Sequence, residues 1–93
     1  MDIILSDHAI FEMARRGISK EAVFDVINNP TLIFPARHGR VILQGKYFDP
    51  LLKKEMILRI IGIQEQEIFK VVTVYKTSKF EKYWKEGSSE SNI

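Results

Sequence analysis

The strongest constraint on the fold is a pair of apolar runs, Glu55 to Ile63 and Ile68 to Lys76, separated by the polar sequence Gln64-Glu65-Gln66-Glu67. Their β-branched content and the short polar gap predict two strands joined by a turn. Alternate residues of a strand face opposite ways. Here both sets are apolar, with Ile57, Ile61 and Ile63 opposed to Met56, Leu58 and Ile60. Such a strand belongs in the middle of a sheet covered on both sides.

Helices precede this pair. In Ser6 to Ile18, Ser6 is a good N-cap, Asp7 puts a negative charge at the positive helix end, and Gly17 suits the left-handed closing residue. At helical spacing Ala9, Ile10, Met13 and Ala14 share one side, with Phe11 at its edge, while His8, Glu12, Arg15 and Arg16 share the other. A second helix starts at Ser19, with Glu21 in its first turn and Ala22, Val23, Val26 and Ile27 on one side. It ends at Asn28-Asn29-Pro30, because the residue before proline avoids helical geometry.

The remaining segments are shorter or less regular. Met1 to Leu5 is an apolar lead-in with the character of an edge strand, and Thr31 to Phe34 is β-branched and aromatic before the turn Pro35 to Gly39. Arg40 to Phe48 alternates, with Val41, Leu43 and Tyr47 one way and Arg40, Gln44 and Lys46 the other. Asp49-Pro50 opens a loop reaching about Lys54. Ser78 caps a last helix, Lys79 to Glu86, whose Phe80, Tyr83 and Trp84 seal one side of the sheet. The expected architecture is a single α+β domain over residues 1–86 with a disordered tail at 87–93. Two N-terminal helices pack on a twisted antiparallel sheet of three to four strands, and a short C-terminal helix follows.

Composition excludes several chemistries. Without cysteine there is no disulfide, thiol nucleophile or cysteine zinc site. The glycines are scattered and none begins a phosphate loop. His8 and His38 lie far apart, and His8 with Glu12 gives only two ligands, so neither a metal nor another cofactor is expected. The longest apolar run, Met56 to Ile63, carries Arg59 and is too short to span a bilayer. No secretion signal opens the chain, so a cytoplasmic location without a membrane partner is expected.

Net charge is only +2. Its distribution is less even. Five cations face one acid between Arg37 and Lys54, and five face one between Lys70 and Lys85. Several alternate with aromatics, as in Lys46-Tyr47-Phe48 and Lys82-Tyr83-Trp84-Lys85. That pattern suits either RNA binding or an ordinary solvated surface.

A residue set for metal-free RNA cleavage is present. Such cleavage needs a base for the 2′-hydroxyl, a donor for the leaving oxygen, and cations for the developing phosphorane. An imidazole titrates near neutrality, so His8 can serve as base or acid. Arg16, Arg15 and Arg59 are fork-shaped phosphate ligands, and Tyr75 and Tyr47 can donate a proton or stack on a base. Lys46, Lys76 and Lys79 complete the candidate RNA-binding set with Arg15 and Tyr47. Each has an ordinary reading too: His8 as a surface residue, Arg59 in an ion pair with Glu65 or Glu67, Tyr75 in the core, and Phe80, Tyr83 and Trp84 as packing.

The pattern His8-Ala9, Met13, Arg16-Gly17-Ile18 and Ser19-Lys20-Glu21 resembles a group of small prokaryotic domains of unknown function. The strand Val71 to Lys79, VVTVYKTSK, resembles the same group's closing signature. These domains are placed with RelE/ParE-superfamily and BrnT-like toxins. The resemblance implies a RelE-like fold, a cognate antitoxin encoded alongside, and metal-independent mRNA cleavage, with RNA or the ribosome as target. His8, Arg16 and Tyr75 match by motif, Arg59 and Lys46 by strand order. Glu12 stands where the group often has a basic residue, and a carboxylate there opposes phosphate. A ParE-like inhibitor of a cellular enzyme and a non-catalytic binding module are the alternatives; the oligomeric state is open.

Overall fold

In a computed structural model, which describes residues 2–84, nine short elements build one mixed sheet with helices on both faces. They are β1 (Asp2–Leu5), α1 (Asp7–Arg16), α2 (Lys20–Asn28), β2 (Leu32–Pro35), a single 3₁₀ turn (Arg37–Gly39), β3 (Val41–Asp49), β4 (Lys54–Glu65), β5 (Ile68–Thr77) and α3 (Phe80–Tyr83). The sheet order is β1-β5-β4-β3-β2. Neighbours pair antiparallel except β1, which runs parallel to β5.

Two features correct the expectation of three to four antiparallel strands. There are five strands, and one edge is parallel. The two edge strands have four residues each, too short for a period of two to declare itself. The parallel pairing depends on β5, which lies more than sixty residues from β1, so no local pattern could announce it. The α+β class stands, and β4 lies at the centre of the sheet with Met56, Ile57, Leu58 and Ile60 all buried.

Both N-terminal helices cover one face. Ser6 Oγ accepts the Ala9 amide at 2.9 Å and also donates to the Val72 carbonyl at 3.0 Å, fastening the start of α1 to β5. Gly17 closes α1 at φ 69°, in the left-handed region, and the Ile18 amide returns to the Met13 carbonyl at 2.9 Å. Ser19 Oγ caps α2 through the Ala22 amide at 3.1 Å. Ala9, Met13, Ile18, Val23, Val26 and Ile27 then bury against Leu43, Leu58, Ile60, Phe69, Val71 and Val74. We call this the helix side of the sheet.

The β4–β5 ladder carries a bulge. Ile61 pairs with Thr73 but Gly62 pairs with Val71, leaving Val72 as the extra residue whose carbonyl holds Ser6. A Cβ at Gly62 would lie 2.5 Å from both the Lys70 carbonyl and the Phe69 ring. Backbone and a buried ring cannot both retreat, so Gly62→Ala is expected to cost about 3 kcal/mol, read as a lower midpoint in chemical denaturation.

α3 lies on the opposite, open face. It spans only Phe80–Tyr83 and is not capped by the Ser78 side chain; the Phe80 amide bonds the Ser78 carbonyl at 2.9 Å instead. Residues 85 and 86 of the expected helix, and the expected tail, lie outside the described residues. Phe80, Tyr83 and Trp84 are half-buried, so the open face is partly sealed. No helix among the described residues is long and apolar enough to cross a membrane.

Candidate nucleic-acid interface

The open face centres on Arg59 of β4. Strand alternation sends it away from Leu58 and Ile60, onto the side where Tyr75, its register partner on β5, and Gln44, its partner on β3, also project. Arg59 Nη1 donates to the Tyr75 hydroxyl at 2.8 Å. The guanidinium carbon lies 4.5 Å from the Tyr83 ring centre, 5.6 Å from Tyr75 and 5.8 Å from Phe34. Three aromatic rings therefore stabilise one partly desolvated cation. Lys46, two residues along β3 from Gln44, sets its amine 5.0 Å from the Trp84 ring and 5.8 Å from Phe80.

Because Arg59 donates to Tyr75, the phenolic proton of Tyr75 is free for another acceptor. The pair thus offers a bidentate cation and a proton donor side by side. The ordinary reading of Arg59 as an ion-pair residue finds no support among the described residues: Glu65 pairs with Lys70 at 3.1 Å, where both side chains are exposed.

The sequence-derived residues fall into separate groups. Arg59, Tyr75 and Lys46 share the open face, and Lys79 is exposed between β5 and α3. His8, Arg15 and Arg16 lie on α1, whose Ala9 and Met13 pack on the helix side. The sheet therefore stands between His8 and the Arg59–Tyr75 pair, so His8, Arg16, Arg59 and Tyr75 do not form one catalytic set. Spacing along the chain placed each residue on its element but could not say which face of the sheet α1 covers.

Glu12 also differs from expectation. It is 7% exposed and turned towards the arginines. Its Oε1 accepts from Arg16 Nε at 2.6 Å and Arg15 Nη2 at 3.0 Å. These bonds, that of Arg15 first, hold the Glu12 carboxyl below its ordinary pKa. Two of the cations assigned to phosphate are thus partly neutralised within the helix itself.

Tyr47 and Lys76 belong to a third group, under the helix layer. Asp49, fully buried, accepts the Lys76 amine and the Tyr47 hydroxyl on Oδ2, the latter at 3.1 Å. Its Oδ1 takes the Leu51 and Leu52 amides at 2.9 and 3.1 Å, fixing the β3–β4 turn. The Lys76 bond leads in holding Asp49 down to a pKa of about 2, against the opposing effect of burial. Burial, with the Asp49 charge second, pushes the Tyr47 phenol up. With both groups committed to Asp49, this cluster holds the turn and lies apart from the Arg59 face.

Gln44, Phe34, Tyr83 and Asp49 were missing from the sequence-derived set. The alternation of β3 does place Gln44 beside Lys46 on the polar side, which was the available signal. Tyr83 and Phe34 carry no pattern that separates a wall of this face from ordinary packing.

A family model described as a domain of unknown function (DUF4258) matches residues 5–76. The chain belongs to this family. The DUF4258 match begins at the end of β1 and includes His8, Arg16, Arg59 and Tyr75, and it stops at Lys76, before α3. No curated protein and no solved structure matches the chain.

Proposed function

We propose that this domain is a metal-independent endoribonuclease acting on single-stranded RNA, the toxin of a toxin–antitoxin pair, with its site on the open face rather than at His8. The observation that carries this reading is the Arg59–Tyr75 hydrogen bond at 2.8 Å within a basic, aromatic surface. A phosphodiester laid across the face meets Arg59, with Lys46 further along β3. The 2′-hydroxyl attacks phosphorus, its proton passes to water, and the bond to the 5′-oxygen breaks as Tyr75 donates its proton to that oxygen. The products are a 2′,3′-cyclic phosphate and a 5′-hydroxyl. Arg59 stabilises first the phosphorane and then the phenolate left on Tyr75. The toxin role, with a cognate antitoxin as partner, follows from the resemblance to RelE/ParE and BrnT-like domains.

A binding-only module of the same fold is the second reading. It is favoured by one observation: among the described residues Arg59 bonds the Tyr75 phenol and makes no ion pair with a carboxylate. Incubation with a single-stranded RNA in EDTA separates the two. The nuclease reading expects fragments ending in cyclic phosphate and an inert 2′-O-methyl strand; intact RNA that is nonetheless bound leaves the binding module.

A further inference from the structure

Beneath α3 the open face holds polar atoms that the fold does not satisfy. Gln44 is fully buried; its Nε2 donates to the Tyr83 carbonyl at 2.7 Å, while its Oε1 has no donor among the described residues. Arg59, its register partner, has a buried Nε with no acceptor among the described residues. Above them stands the Tyr83 ring, 4.5 Å from the guanidinium carbon. The helix that supplies this ring is a single turn without a side-chain cap. Its side-chain attachments include the Tyr83 ring on Arg59, the Gln44 bond and the contacts of Lys46 with Phe80 and Trp84.

A carboxamide offers one donor and one acceptor side by side, and every nucleobase has an edge that offers the reverse pair. A flat ring over a guanidinium is also how proteins hold an unstacked base. We propose that the surface under α3 is a nucleobase subsite of the RNA face, closed in the free protein by Tyr83. One base of the strand takes the place of the Tyr83 ring over Arg59. Gln44, released from the Tyr83 carbonyl, bonds that base's edge with both amide atoms, and Arg59 Nε donates to an oxygen of the adjoining phosphate. Tyr83 thus acts as a built-in competitor for RNA. The inference rests on the RNA reading of this face.

Trp84, the only tryptophan, reports on α3 directly. The probes are a ten-nucleotide 2′-O-methyl strand, which resists cleavage, and the same strand with its bases removed. The base-bearing strand is expected to shift Trp84 emission to the red and raise its quenching by acrylamide; the abasic strand is expected to do neither. Tyr83→Ala is expected to bind the base-bearing strand about five-fold tighter, because the competing ring is gone. Gln44→Met is expected to bring its affinity down to that of the abasic strand. Weaker or unchanged binding by Tyr83→Ala overturns the proposal, as does equal binding of the two strands by the parent chain. Should Gln44→Met not fold, the Tyr83→Ala and abasic arms still decide. Cleavage of unmodified RNA is scored separately: its absence alongside base-dependent binding removes the nuclease reading and keeps the subsite, and the converse removes the subsite alone.

Discussion

Asp49→Ala is expected to melt about 15 °C below the parent chain, a loss of about 3 kcal/mol in a domain of this size. The carboxylate is fully buried and accepts from four groups: Lys76, Tyr47 and the amides of Leu51 and Leu52. Removing it strands a nearly buried ammonium, a phenol and two backbone donors at once, and each unmet donor carries its own desolvation cost. Lys76→Met is expected to cost less, because Tyr47 and both amides still hold the carboxylate. The pH dependence follows from the same geometry. The folded pKa of Asp49, about 2, lies below that of an unfolded aspartate, so its contribution is complete only above about pH 5. It declines as pH falls towards 2 through the folded value. Asp49→Asn removes that titration, and its melting temperature is expected to change less than the parent's across this acid range.

Arg59→Lys is expected to lower RNA cleavage by about a hundred-fold, the loss typical of one preorganised donor to a transition-state oxyanion. Charge is retained, but an ammonium cannot lie flat between Tyr83, Tyr75 and Phe34 while also reaching the Tyr75 hydroxyl. The hydrogen bond that, in the proposed mechanism, stabilises the phenolate left on Tyr75 is lost with the fork. Single-turnover rates on a single-stranded substrate measure the effect, with the melting temperature checked alongside.

The two N-terminal helices were legible in the sequence because capping is local: Ser6, Gly17 and Ser19 each cap within four residues of where they stand. The central place of β4 was equally legible, since its two apolar faces can be explained only by cover on both sides. What the sequence withheld is long-range. Nothing in the lead-in reveals that β1 lies parallel to β5, and nothing in α1 reveals that it covers the face opposite Arg59. His8 was therefore grouped with Arg59 and Tyr75 on chemistry alone, and the sheet separates them. On sequence alone Asp49 opens a loop. Its burial depends on Lys76, twenty-seven positions away, whose charge gave no sign of being committed inward.

The most direct measurement compares Tyr75→Phe with His8→Ala in the EDTA cleavage assay. Tyr75→Phe keeps the ring and deletes only the proton donor; cleavage is expected to fall by at least about a hundred-fold, with RNA binding retained. His8→Ala, across the sheet from Arg59, is expected to cleave at the parent rate. Loss of cleavage in His8→Ala with Tyr75→Phe unaffected would contradict an open-face site and return the chemistry to α1.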